Sequence, residues 1–118
     1  MVSKYFIVGA LGDISLQMYI SNYGDVAGLE EYFKQHGTNE SIVIAGGLMA
    51  MAKFVFLALG LPNKPIPNFL FGGCVDIAFR YGHIFPSLEG YYTSMNPFES
   101  FVWGGIPMVI PFIFSNNP

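Results

Sequence analysis

Four ionisable side chains stand inside long apolar stretches of this 118-residue chain: Asp13, Lys53, Asp76 and Arg80. In a low-dielectric setting such groups either carry a proton or ion along a pathway, or bond to one another and decide which helix faces meet. Spacing narrows the choice. Gly9, Asp13 and Gln17 recur every four residues and share one helical face, while Asp76 and Arg80 have the separation at which a helix holds an ion pair. Asp13 and Lys53 each fall near the middle of their runs, which predicts a second ion pair, between helices. Each charge left unpaired at the centre of a bilayer costs ~3 kcal/mol, whereas the four together sum to zero. With no third carboxylate, no histidine expected to be buried and no surplus charge, a structural role is expected. A small channel or transporter subunit using the buried Asp, Lys and Arg residues is the alternative.

Other chemistry has little support. His36 and His83 lack a Cys, His or carboxylate cluster at metal-ligand spacing and are expected at the surface or interface. The glycine pairs have neither the strand context nor the following Lys-Ser/Thr of a phosphate loop. No Ser-His-Asp or Cys-His arrangement stands out, so the chain is not expected to be an enzyme, and no catalytic residue, cofactor or metal is assigned. Cys74 is the only cysteine, cannot form an internal disulfide, and is expected to be buried. Asn39-Glu40-Ser41 fits a glycosylation acceptor but abuts an apolar run, too near a membrane for use.

Composition sets the solvent. Charged residues make up 11% of the chain, against about 25% in soluble domains, while hydrophobic residues reach 53% and aromatics 17%. The charges cluster in short polar stretches between apolar runs, which favours a lipid bilayer over a small, very apolar soluble domain. A net charge of −3 without a Lys/Arg cluster argues against nucleic acid as a partner. Asp13 interrupts what would be the apolar part of a signal peptide, so the first run is expected to stay as a membrane helix.

The elements that position these residues follow in order. Segment one spans residues 2–20. The polar stretch 21–41 carries Leu29, Tyr32 and Phe33 at helical spacing, which predicts one or two turns of amphipathic helix at the interface. Tyr32 and Phe33, and later Tyr91 and Tyr92, suit the half-wet headgroup layer. Glu40 and Ser41 stand where a helix should begin, suited to its free N–H groups. Segment two spans 42–61. Pro62, Pro65 and Pro67 break the chain into a short connection over 62–67. Segment three spans 68–85, a second interfacial stretch 87–100, and segment four 101–114, where Pro107 and Pro111 predict a kinked, tilted or incompletely spanning helix. Small residues that let helices approach are Gly9, Gly46, Gly47, Gly72, Gly73, Gly104 and Gly105.

The chain also repeats itself. Moving it forward by 59 positions lays residues 29–49 on 88–108 with eight of 21 positions identical, against roughly one or two by chance. Further upstream, Gly9, Asp13 and Ile14 answer Gly72, Asp76 and Ile77. The expected fold is therefore an all-α membrane protein with four transmembrane helices, built as tandem helical hairpins over 1–61 and 68–118. Two crossings per hairpin return the chain to its starting side, so the repeats should be parallel. Lys4 and Lys64 place that side in the cytosol by the positive-inside rule.

The strings Tyr32-Phe33-Lys34-Gln35-His36-Gly37, Glu40-Ser41-x-x-Ile44-Ala45-Gly46-Gly47-x-Met49, Phe85-Pro86-Ser87-Leu88-x-Gly90-Tyr91-Tyr92 and Trp103-Gly104-Gly105-Ile106-Pro107-Met108 cover most of the chain. They resemble a family of small membrane proteins of nucleocytoplasmic large DNA viruses, of the chlorella-virus, marseillevirus and mimivirus kind. Gly12-Asp13-Ile14-x-x-Gln17 is also similar to the opening of the longer Mpv17-type peroxisomal and mitochondrial membrane proteins. The viral resemblance implies a component of the virion's inner membrane, which derives from host endoplasmic reticulum during assembly, or a minor capsid protein anchored there. Its implied partners are lipid and other capsid or membrane proteins.

Overall fold

The computed structural model describes residues 2–26 and 28–114, and every regular element among them is helical. Four long helices, α1 (Val2–Tyr23), α3 (Thr38–Ala58), α4 (Pro65–Gly82) and α6 (Pro97–Phe114), alternate with two short ones, α2 (Glu30–Gln35) and α5 (Glu89–Ser94). A 3-10 turn, Pro86–Leu88, leads into α5. At ~1.5 Å per residue the long helices measure about 27–33 Å. By length and composition α3 and α6 are apolar enough to cross a membrane.

Local chemistry sets the ends. Pro65 and Pro97 open α4 and α6, where a missing N–H costs nothing. At α6 the Asn96 side chain accepts from the Glu99 N–H (2.8 Å), and Glu99 accepts from the Asn96 N–H (3.2 Å), a reciprocal cap. Glu40 and Ser41 were expected to stand at the start of α3, but that helix begins earlier, at Thr38, so Ser41 lies one turn in and its hydroxyl is free for another helix. Helical backbone continues through Pro107 and Pro111 to Phe114.

The long helices form two antiparallel hairpins, α1 with α3 and α4 with α6. Close approach depends on glycine. A Cβ on Gly9 would strike the Ala45 carbonyl and Met49, and one on Gly72 would strike the Gly104 carbonyl and Met108. Gly46 lies against Phe6, and Gly105 against Phe69 in the same manner. Gly73 and Gly104 also sit in tight contacts, with the Phe101 ring and with Asp76. Gly47 departs from expectation, because a side chain there would meet nothing within 4 Å.

Both hairpins run the same way. The start of α1, the end of α6 and the α3–α4 connection share one end of the molecule, here the terminal end. The turns carrying α2 and α5 share the other, the loop end. The outer faces are apolar: Leu11, Met18, Met51, Phe54, Leu59, Leu70 and Ile113 are all exposed. Cys74, expected to be buried, also lies on this outer surface.

Glycine's role predicts a contrast. Gly72→Leu should destabilise the chain by about 1–3 kcal/mol or prevent folding, as overpacking does, whereas Gly47→Leu should change stability by no more than about 0.5 kcal/mol. Thermal unfolding of both variants in detergent measures the difference.

Candidate functional site

The buried polar groups gather in two layers. The layer nearer the loop end is built on Asp13 and Asp76. Antiparallel packing sets Asp13 beside the first turn of α3, where the Ser41 hydroxyl donates to its Oδ2 at 2.6 Å. Gln17, one turn along α1, donates from Nε2 to Asp13 Oδ1 at 2.5 Å and reaches the Thr38 carbonyl at 3.4 Å. Asp13 is thus 6% exposed yet bonded on both oxygens.

The second hairpin repeats this arrangement with one substitution of role. Asp76 accepts from the Ser100 hydroxyl on α6, and the Tyr91 hydroxyl on α5 donates to its other oxygen at 2.8 Å. Burial pushes the Tyr91 pKa up, and the Asp76 charge adds to the effect, so the phenol remains a donor. Burial likewise raises the pKa of Tyr32. Tyr32, Tyr91 and Tyr92 were expected in a half-wet layer, but each is only 6% exposed and turned inward, while Phe33 is half-buried.

The ion pairs expected from spacing do not form. Among the described residues, no salt bridge joins Asp76 to Arg80. The Arg80 guanidinium instead lies 5.8 Å from the Tyr92 ring centroid, with Nη1 buried and unbonded. Asp13 and Lys53 belong to different layers. Both lie past the middle of their helices, but α1 and α3 run in opposite directions, so equal progress along each leads to opposite ends. Ser41 marks the level of Asp13, and Lys53 is twelve residues farther along α3, about 18 Å away.

Lys53 forms the second layer, near the terminal end. Its ammonium is fully buried and donates to Asn63 Oδ1 at 2.5 Å and Asn68 Oδ1 at 2.8 Å. The Tyr5, Phe56 and Phe112 rings surround it at 4.6, 4.8 and 5.6 Å. Neutral amide oxygens and ring faces replace the expected carboxylate. This group touches all four long helices, and the Tyr5 hydroxyl adds a 3.5 Å bond to the Met108 carbonyl across the hairpins.

Between the hairpins and the two layers lies a cleft of about 330 Å³. Its lining pairs one hairpin with the other: Gly9 with Gly72, Asp13 with Asp76, Leu29 with Leu88, Tyr32 with Tyr91, and Met49 with Met108. The walls are apolar apart from these carboxylates and phenols. Among the described residues no cluster of three or more His, Cys, Asp or Glu could hold a metal ion.

Sequence reasoning missed Ser41, Ser100, Asn63 and Asn68 as partners of the buried charges. For the serines a signal existed, since Asp and Ser recur together in both halves. Comparison with protein-family models, curated proteins and solved structures finds no match for this chain.

The Lys53 layer predicts an asymmetry. Asn68→Leu leaves a buried ammonium short of an acceptor and should cost about 1.5–3 kcal/mol. Lys53→Met removes the charge itself and should cost less, because apolar replacement of a buried ion is tolerated better than loss of its partner. Denaturation in mixed micelles ranks the two.

Proposed function

We propose that the chain is an integral membrane protein of four crossing helices, arranged as tandem parallel hairpins, α1 with α3 and α4 with α6, joined by the short connection between α3 and α4. We further propose that it is a structural component of a large icosahedral DNA virus particle, either within the inner membrane or linking that membrane to the capsid shell. The observation that carries the membrane reading is the inverted distribution of polarity. Lys53, Asn68, Ser41 and Ser100 are fully buried, whereas Met51, Phe54 and Leu59 are more than 60% exposed. In water such a surface would invite aggregation, whereas lipid tails solvate it.

Helices α1 and α4 are less apolar than their partners, but Asp13 and Asn68 are buried, and the exposed Ser15 returns its hydroxyl to the Leu11 carbonyl of its own helix. Asp13 and Asn68 bond within the protein, leaving Leu11, Met18 and Leu70 outside. This supports four crossings rather than two. The viral assignment draws on the resemblance of the four motif strings, and the short polar turns at both ends suit a protein whose neighbours are lipid and other membrane or capsid proteins.

A conducting subunit is the second reading, supported by Asp13 and Asp76 lining one cleft. The bonds already made to both carboxylates favour the structural role.

The protein should remain with membranes through an alkaline carbonate wash and appear in purified particles, where it either leaves with lipid on detergent treatment or stays with the shell. Release by the wash overturns the membrane reading, and absence from particles overturns the virion assignment. Asp13→Asn and Asp76→Asn should lower folded yield; if they abolish ion flux in liposomes while insertion is normal, the conducting reading replaces the structural one.

A further inference from the structure

Away from the two carboxylates, three side chains drawn from both hairpins form a hydrogen-bonded chain at the loop end. His36, in the turn between α2 and α3, has Nδ1 2.6 Å from Glu40 Oε1 and Nε2 2.8 Å from Ser87 Oγ. Glu40 stands in the first turn of α3, and Ser87 in the 3-10 turn before α5. The Tyr32 ring lies 4.7 Å from the imidazole and shields it. The order is hydroxyl, imidazole, carboxylate, with one ring nitrogen turned to each neighbour. That order and those distances match what a nucleophile, its base and the group that orients the base require.

The duplication shows that hairpin packing does not require this arrangement. At the 59-residue offset His36 corresponds to Met95 and Ser87 to Gly28, while Glu40 corresponds to Glu99, which serves only as a helix cap. The other half folds without either the imidazole or the hydroxyl. The Asp13–Ser41 and Asp76–Ser100 contacts, by contrast, occur in both halves.

We propose that Ser87, His36 and Glu40 form an acyl-transfer site that hydrolyses the long-chain acyl ester of a lipid. The Glu40 carboxylate accepts a hydrogen bond from Nδ1–H, which holds that tautomer and leaves the Nε2 lone pair facing Ser87. As Ser87 Oγ attacks the ester carbonyl carbon, its proton passes to Nε2. The carbon–oxygen bond to the alcohol then breaks, and the departing oxygen takes that proton. Water attacks the acyl-Ser87 carbonyl, gives a proton to Nε2 and releases the fatty acid, and Ser87 Oγ recovers its proton. Ser87 and His36 are the catalytic residues, and Glu40 is a positioning residue.

The substrate class follows from the surroundings. Ser87 is 6% exposed, so access is poor from water. The next residue, Leu88, lines the apolar cleft with Leu29, Tyr32 and Phe33, and the cleft's volume is at the low end of ligand-pocket sizes. A single acyl chain in the cleft would bring its ester to the level of the short helices. The choice of lipid rests on the membrane reading, while the acyl-transfer chemistry does not.

The test uses the full chain in detergent, treated with diisopropyl fluorophosphate and read by mass spectrometry. One adduct on Ser87 is expected, absent in Ser87→Ala and formed about 100-fold more slowly in His36→Gln, as loss of a general base requires. Glu40→Gln should also slow labelling, and Glu40→Asp should recover part of the rate at equal folded yield, which circular dichroism and size exclusion monitor for every variant. No adduct on the folded wild-type chain, or an unchanged rate in His36→Gln, overturns the site and leaves the three residues as a brace between hairpins. In micelles, p-nitrophenyl esters of long-chain acids should be hydrolysed faster than the acetate. Labelling of Ser87 with hydrolysis of the acetate alone overturns the lipid substrate. Release by carbonate wash, in contrast, sinks the membrane reading whatever the labelling shows.

Discussion

Each hairpin is held in register by one bond, from a serine hydroxyl on the second helix to an aspartate on the first. Asp and Ser side chains are short, so the bond exists only where two backbones nearly touch. Gly9 and Gly46 provide that approach in one hairpin, and Gly72 and Gly105 in the other, about one turn from the carboxylate. Proximity and polar satisfaction therefore depend on each other. Separating the helices would leave a buried carboxylate without its hydroxyl donor, at a cost of several kcal/mol. The other contacts of Asp13 and Asp76, to Gln17 and Tyr91, complete the carboxylates' bonding but do not set the register.

Where the two halves agree, the shared residues build the frame. Where they differ, the structure has its unusual chemistry. Tyr5 corresponds to Asn68, and Lys53 to Phe112, yet all four meet at the terminal end around one ammonium. A symmetric version would place two like residues face to face at each of these positions, and two lysines there would repel. Divergence turns that position into a cation held by amides and rings, which ties the hairpins without a second charge. The loop end follows the same logic, with His36 and Ser87 facing one another across the hairpins at positions that hold Met95 and Gly28 in the alternate copies.

Much of the frame was legible before any coordinates. The apolar runs found the four long helices, and Leu29, Tyr32 and Phe33 marked the short helix α2. Of the three prolines expected to form the connection over 62–67, however, only Pro62 lies in it, because Pro65 and Pro67 fit the first turn of α4, where a missing N–H costs nothing. The packing glycines were legible because small residues recur beside the polar ones, although Gly47 faces open space. The pairing of charges was not. Spacing along one helix suggested Asp76 with Arg80, and similar positions within runs suggested Asp13 with Lys53. Both readings treated charge as the only partner for charge, whereas the protein satisfies its buried ions with serine, tyrosine, glutamine and asparagine.

The sequence by itself determined which segments form the long helices and that one pattern occurs twice, since these depend on neighbours within a turn or two and on the balance of apolar to polar residues. The starts of α3, α4 and α6 lie three or four residues before the apolar runs begin, because polar residues and prolines enter their first turns. The tertiary structure alone decided what each buried group bonds to. Antiparallel packing sends Asp13 and Lys53 to opposite ends of the molecule, and it brings Ser87 to His36 from 51 residues away. Such partnerships depend on direction and depth in three dimensions, which the order of residues along a chain does not encode locally.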